Sequence, residues 1–493
     1  MSVSISPIGF IIIPLGLFLF FKSRRQLFWA TVASIPFFYT YVADLSITLV
    51  QPYQYFGVLL ILRNLVDMGL GQGRRSYSIS PATGAVLLFL LAGYLSLIMP
   101  VLFRDVIYVV PPETSYQEYE NVELLRLRMR NVFQITYPTF MVLMFLSLVK
   151  EIQGLRDLKN VVRLSVLCAL VVIGFGLFHQ IGMMLGLNAL VESAFRLVTG
   201  FDEVPRIYST YNMIGPVPRM FSLAGEPGYT GSYLVFVFAI ILALGYNVVR
   251  DGWSLKRDKL MQLLLLFGLI MTGSTTSYLG LCVVVLVLMI LPKLLRLGTR
   301  GTRQRSTMRF TTFFAVTAVV VVFASPIILE TSYLDYVYDT HYAKLFLQEG
   351  SGLVRTKTVQ SGVEIFLQSP ILGVGYGSHR TASLLTSLLS NVGAVGTLAF
   401  LWFNVVIFRR GLLACRRSAN PEMVSISYAL LVSLATLLPV MLIGKSMIAL
   451  IHGWYWLLLA MLEACYRIYR RETATTAEDE HPPVADGYPA AAS

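Results

Sequence analysis

The feature that most constrains this chain is a succession of apolar runs, each about as long as a bilayer is thick. A helix needs roughly 20 largely apolar residues to cross lipid. Such runs occur near 7–21, 27–49, 53–70, 82–102, 132–149, 161–186, 231–249, 259–273, 276–292, 310–329, 387–408, 423–442 and 446–465. The expected fold is therefore all-α, a polytopic integral membrane protein of about 12–14 transmembrane helices with long outer loops. Composition agrees: 56% of residues are hydrophobic, 13% are charged, and the mean hydropathy is +0.69. Soluble globular chains carry about 25% charged residues, so a soluble enzyme on a single anchor is excluded. The run over Pro7–Phe21 lacks a charged leader and a clear cleavage site and is read as a retained helix.

A net charge of +12 raises the question of a nucleic-acid partner. The basic residues instead form short clusters on every second connection: Lys22/Arg24/Arg25, Arg74/Arg75, Lys150–Arg163, Arg250–Lys259, Lys293–Arg309, Arg409–Arg417 and Arg467–Arg471. That alternation is the signature of orientation in a bilayer, with basic connections on the cytoplasmic side. It predicts an outer N-terminus and an inner C-terminus, and no nucleic-acid partner. Arg126, Arg128 and Arg130 fall on the outer side, accompanied by Glu113, Glu118, Glu120 and Glu123. The membrane domain is read as 1–471, and residues 472–493 as a disordered cytoplasmic tail without apolar period. The four cysteines, Cys168, Cys282, Cys415 and Cys465, show no CxxC and no metal-ligand spacing, so neither a disulfide framework nor a metal site is expected.

Three outer connections are long: about 103–131, 187–230 and 330–386. The first contains an amphipathic stretch, Val122–Val132, expected to lie along the membrane surface. The second ends in Arg219-Met-Phe-Ser-Leu-Ala-Gly-Glu-Pro-Gly-Tyr-Thr-Gly231, which puts a cation and a carboxylate directly before an apolar run. Charges near hydrocarbon are costly, roughly 2.5–3.5 kcal/mol each at the centre of a span. The third ends in Gly373-Val-Gly-Tyr-Gly-Ser-His-Arg380.

Familiar catalytic signatures for nucleotides, metals or serine nucleophiles are absent from the sequence. Arg219, Arg355 and Arg380 are the outer cations whose planar, permanently charged forks suit a lipid-linked diphosphate. Singly, each would serve equally well against phospholipid headgroups or as a helix cap. Glu226 precedes Pro227, which biases it to extended backbone, and Gly228 is expected to supply the positive φ of a type II turn. Its carboxylate could act as a general base or simply pair with Arg219 or Arg206. His379 competes for the role of base. Arg206, Lys357, Tyr376 and Lys445 complete the candidate substrate contacts. The polar hairpin Thr272–Ser277 is read first as packing and turn chemistry, and Asp44 as a charge within the second span.

Leu269-Ile-Met-Thr-Gly-Ser-Thr-Thr-Ser-Tyr-Leu-Gly280 resembles the "LTxSRxG" segment of the O-antigen ligase/polymerase superfamily. Gln368-Ser-Pro-Ile-Leu-Gly-Val-Gly-Tyr-Gly-Ser378, followed by Leu388–Phe400, resembles its "SPLGVGxG … ExGxxGxxxF" end. The resemblance spans about 200–410 in the same order of elements. It implies glycan transfer on the periplasmic face of the inner membrane, from undecaprenyl diphosphate to a hydroxyl, without cofactor, metal or nucleotide. It also maps Arg219 and Arg355 to phosphate-holding loop arginines. The hairpin arginine of ligases is replaced by Thr275/Thr276, and the ligase histidine has no match at its offset, His379 lying further from the "ExG" glycine. The expectation is a Wzy-type polymerase of exopolysaccharide or O-antigen repeat units. The alternatives are a ligase acting on lipid A core or, in a different class, a transporter of lipid-linked sugar. Expected partners are undecaprenyl-diphosphate-linked glycans, membrane lipid, and a flippase and chain-length regulator of the same pathway.

Overall fold

The structure is a computed structural model that describes residues 4–45, 48–70, 80–112, 121–201, 213–214, 217–245, 253, 258–295, 351–444, 450 and 452–480. The helices are α1 Gly9–Lys22, α2 Arg24–Ser34, α3 Pro52–Gly69, α4 Pro81–Ser96, α5 Met99–Leu102, α6 Met129–Glu151, α7 Leu155–Met184 and α8 Asn188–Thr199. They continue as α9 Pro227–Gly245, α10 Asp258–Met271, α11 Thr275–Leu294, α12 Ser351–Gln368, α13 Leu384–Arg417, α14 Pro421–Gly444 and α15 Gly453–Glu480. Seven of the described helical stretches are long and apolar enough to cross a membrane, and α1 and α10 are shorter apolar helices. This is an all-α, multi-pass membrane protein. The span expected at 310–329 lies outside the described residues.

Burial explains the arrangement. α9 is apolar all round and is buried along nearly its whole length, as a helix surrounded by other helices must be. α14 and the first half of α15 are equally enclosed, with Trp454, Tyr455 and Trp456 at most 1% exposed. The outward faces of α1, α4, α7, α11 and α13 carry Phe10, Leu91, Leu167, Met289 and Trp402, all exposed and apolar, as a lipid belt requires. Two polar side chains inside the bundle find backbone partners: Tyr233 Oη donates to Ser165 O at 2.8 Å and Ser433 Oγ to Phe236 O at 3.0 Å.

One end of the bundle collects charge. Arg24 bridges Asp67 of α3 at 3.1 Å and Glu151 of α6 at 2.9 Å, and Lys159 of α7 meets Glu422 of α14 at 2.5 Å. Further along the bundle, Glu463 of α15 takes Arg410 at 2.9 Å and Arg467 at 3.1 Å. The basic members, Arg24, Lys159, Arg410 and Arg467, belong to the connections the alternation of charge assigns to a single side. The opposite end carries the short strands found among the described residues. There, β1 Ser4–Ile5, β2 Ala43–Asp44 and β3 Leu49–Val50 form a small antiparallel sheet. β4 Tyr108–Val109 pairs with β5 Glu123–Leu124, and β6 Met213–Ile214 with β7 Val217–Pro218.

One expectation is corrected. The run 27–49 is not one span: α2 ends at Ser34, because Pro36 has no N–H with which to continue the ladder. The chain then turns back, so Asp44 lies in β2 at the loop end rather than in lipid. Val122–Val132, expected along the membrane surface, supplies β5 and then the first residues of α6. Its basic residues are offset locally: Arg128 and Arg130 meet Glu123 at 2.7 and 3.5 Å, and Arg126 pairs with Asp105. α15 runs to Glu480, and residues 481–493 of the expected tail lie outside the described residues.

Candidate functional site

The turn that carries Arg219 and Glu226 is fastened from below by two polar residues of α7. Gln180 Nε2 donates to Pro218 O at 2.8 Å and to Met271 O at 2.9 Å, and Met271 O also receives Met220 N–H at 3.2 Å. His179 Nδ1 accepts from Phe221 N–H at 3.4 Å. Ser222 Oγ donates to Val172 O at 2.5 Å, and Tyr39 N–H reaches Leu223 O at 2.9 Å. Both backbone neighbours of Arg219 are thus fixed, while its own side chain remains half-buried.

The turn itself differs from the expected type II geometry at Gly228. The positive φ belongs to Gly225, at 101°, and Ser222 and Gly225 exchange backbone hydrogen bonds. Pro227 is the first residue of α9, where a missing N–H costs nothing and the fixed φ suits a helix. Glu226 sits immediately before the helix, its carbonyl accepting from Tyr229 N–H and Thr230 N–H at 2.9 and 3.0 Å. Tyr229, one turn into α9, packs against His452 with ring centroids 5.1 Å apart, and His452 stacks on Trp454 at 4.3 Å and lies 4.7 Å from Phe38. An aromatic group therefore borders Glu226.

The second turn, Gly373–Arg380, is built into a break in α13. Gly393 has φ +64°, and a Cβ there would lie 2.2 Å from Ile371 O. Val374 N–H and Gly375 N–H donate to Ser390 O and Asn391 O at 2.8 and 3.0 Å. In return, Ala394 and Val395 donate to Pro370 O and Ile371 O at 2.8 and 3.2 Å. The loop thus replaces the missing helical bonds, the condition under which irregular backbone is tolerated in a membrane bundle. Asn391 completes the brace: Oδ1 accepts from Ser378 N–H at 2.9 Å and His379 N–H at 3.0 Å, and Nδ2 donates to His379 O and Ser387 O, each at 2.8 Å. Asn131 of α6 donates to Tyr376 O and Ser378 Oγ at 3.0 and 2.9 Å.

His379 is 2% exposed. Its Nδ1 accepts Val110 N–H at 3.1 Å, and burial pushes its pKa down to about 3. The ring is neutral with its proton on Nε2, so the nitrogen a base would use is occupied. Arg380, half-buried, donates through Nη1 to Pro112 O at 3.1 Å. Tyr376 is 3% exposed, with its ring in the apolar core near Gly93. Arg355 and Lys357 are exposed on α12. Arg355 shares a helical face with buried Thr358, Gly362 and Ile365, at spacings of three, seven and ten residues, whereas Lys357 stands on the other side. Gly362 packs on Thr381 and Thr386, so that face looks toward the second turn. Arg206 and Lys445 lie outside the described residues.

The polar hairpin between α10 and α11 is packing. Thr272 and Ser277 hydroxyls share a 2.7 Å hydrogen bond, and a Cβ on Gly231 of α9 would meet Ser277 Oγ at 2.0 Å.

Residues 260–388 match the family model described as O-antigen ligase. They belong to the O-antigen ligase/polymerase superfamily. No curated protein matches the chain.

The superfamily segment runs from α10 through α12 to the start of α13 and includes the Gly373–Arg380 turn. The family indicates a glycosyl-transfer enzyme of ligase/polymerase type. Asn391 stands where the family's "ExG" pattern has its glutamate, and an amide there can both accept and donate, as its four backbone bonds require. The sequence reading missed His179, Gln180, Asn131, Asn391 and His452. Two of these, His179 and Gln180, were signalled by adjacent polar residues inside an otherwise apolar span. Among the described residues no group of three or more His, Cys, Asp or Glu side chains could hold a metal ion. Chemically, the loop end offers guanidinium groups for an anionic leaving group, a carboxylate at a helix start, and aromatic faces beside it.

Proposed function

We propose that the chain polymerises lipid-linked oligosaccharide repeat units at the loop end of the bundle, on the periplasmic face of the inner membrane. The donor is a growing glycan on undecaprenyl diphosphate and the acceptor is a single lipid-linked unit delivered by a flippase, with a chain-length regulator acting on the product. An acceptor hydroxyl oxygen attacks the anomeric carbon, the bond from that carbon to the diphosphate breaks, and the lipid diphosphate leaves. Arg219, Arg355 and Arg380 take up the charge that develops on the leaving group; a preorganised donor of this kind is worth roughly 100- to 1,000-fold in rate. The acceptor proton passes to Glu226, since His379 holds its own basic nitrogen against Val110. The observation that supports the reading best is the fixed backbone on either side of Arg219, which places a guanidinium and the Glu226 carboxylate on one short turn beside aromatic rings.

The test is to incubate the purified protein in vesicles with lipid-linked repeat units. A ladder of products is expected. Transfer only when lipid A core is added identifies a ligase instead, and movement of unaltered lipid-linked sugar between leaflets identifies a carrier.

A further inference from the structure

At the charged end, remote from the turns just described, α2 and α7 enclose an open groove of about 720 Å³ that the proposed reaction does not use. Its polar wall holds Arg25, Arg156 and Arg163. The one carboxylate there is already satisfied. Asp157 pairs with Arg25 through Oδ1, while Oδ2 accepts Gln153 N–H at 3.0 Å and Gly154 N–H at 3.3 Å at the start of α7. Arg25 also donates to Glu151 O at 2.9 Å. Arg156 and Arg163 are exposed, and Arg163 is steadied by Asn160 Oδ1 at 3.3 Å and by the Trp253 ring at 5.7 Å. The groove therefore carries two guanidinium charges beyond those its own carboxylate offsets.

The order of residues along α7 says what those charges are for. Arg156, Asn160 and Arg163 are followed on the same face by Leu164, Leu167 and Val171, at helical spacing. Leu167 and Val171 are 58% and 46% exposed and continue into the lipid-facing belt. Trp29 stands across the groove at the change from polar to apolar, with the Arg25 guanidinium 5.1 Å from its ring, as interfacial tryptophans do. Arg156 to Val171 spans roughly 22 Å at 1.5 Å per residue. That is a headgroup site joined to a track for an acyl chain.

We infer that this groove binds the phosphate headgroup of an anionic phospholipid of the leaflet at the charged end, with one acyl chain lying along Leu164, Leu167 and Val171. A soluble phosphate could meet the arginines but would leave the apolar half of the groove uncovered. Basic pockets between transmembrane helices are a recurrent form of lipid recognition.

Native mass spectrometry of the detergent-solubilised full chain, titrated with phosphatidylglycerol, phosphatidylcholine or inorganic phosphate, tests this. Retention of phosphatidylglycerol in preference to phosphatidylcholine is expected, with no competition from equimolar inorganic phosphate. Arg156→Gln/Arg163→Gln should weaken phosphatidylglycerol retention about 30-fold, from about 1 kcal/mol per basic residue near an anionic lipid. Both residues are exposed, so the variant should fold; in parallel, Leu167→Gln should weaken the lipid while leaving the arginines in place. Equal retention of the two lipids, full competition by inorganic phosphate, or wild-type retention by the double variant would each overturn the assignment.

Discussion

His379 is bound to Val110 across a sequence separation of 269 residues, its Nδ1 accepting the Val110 N–H at 3.1 Å. Arg380 N–H donates back to Val110 O at 2.9 Å. The end of β4 and the Gly373–Arg380 turn are thereby joined, and the histidine at their junction is a neutral hydrogen-bond acceptor.

That placement has a pH consequence. The histidine pKa falls from 6.5 toward about 3 on folding, because burial disfavours the charged ring. Between those values the unfolded chain binds the extra proton, so stability is complete above about 6.5 and is lost as pH falls toward about 3. His379→Gln keeps an acceptor for Val110 and should show a shallower loss of melting temperature from pH 7.5 to 5 than wild type. Parallel curves for the two proteins would refute the buried neutral ring.

Gln180 is the clasp under Arg219, and its chemistry can be inverted. Gln180→Glu would turn a donor toward two carbonyls into a buried acceptor, leaving Pro218 O and Met271 O facing a carboxyl group. Gln180→Met only removes the bonds, at about 1–3 kcal/mol for each group left unsatisfied. We expect glycan transfer and melting temperature to fall in the order wild type, Met variant, Glu variant. A fully active Glu variant would show that the clasp does not position Arg219.

The faces of α12 separate two cations that look alike in sequence. Arg355→Ala should lower polymer formation by roughly 100-fold or more, in line with loss of one charge-stabilising donor, and Lys357→Ala should leave it within a few-fold of wild type. Membrane abundance, measured by immunoblot, should be normal in both. Equal effects would remove the argument from helical face.

The break in α13 is predicted from the space at its glycine. Gly393→Ala places a Cβ 2.2 Å from Ile371 O at φ +64° and should destabilise the protein by several kcal/mol, on the scale of backbone strain plus overpacking. Gly84→Ala in α4 meets nothing within 4 Å and should be neutral or slightly stabilising, by up to about 1 kcal/mol. Thermal unfolding in detergent distinguishes the two.

Spanning helices were legible because hydropathy over 20 residues reports a solvent, and the solvent is the same for every span. The run 27–49 was misread for the same reason: Phe37, Phe38, Tyr39 and Tyr41 keep it apolar although Pro36 has already ended the helix. Arg219, Glu226 and Arg380 stand out as candidates in the sequence because charge beside hydrocarbon is conspicuous. Their geometry does not. Gly225 rather than Gly228 takes the positive φ because Pro227 opens α9 and puts Gly228 inside the helix, and a Cβ at Gly225 would lie 3.4 Å from Tyr39. Asn391 and Gln180 were hidden because a single amide in an apolar run has no pattern; what gives each its role is backbone groups it meets only in the fold, three from the Ser378–His379 turn for Asn391 and two, on Pro218 and Met271, for Gln180.

The interleaved backbone at Gly393 also bears on how the chain is made. The carbonyls of Pro370 and Ile371 find their donors only at Ala394 and Val395, and Ser390 and Asn391 find theirs only at Val374 and Gly375. Neither side of this splice is satisfied until the other has been made, so the turn can take its final form only once the chain has been synthesised as far as Val395.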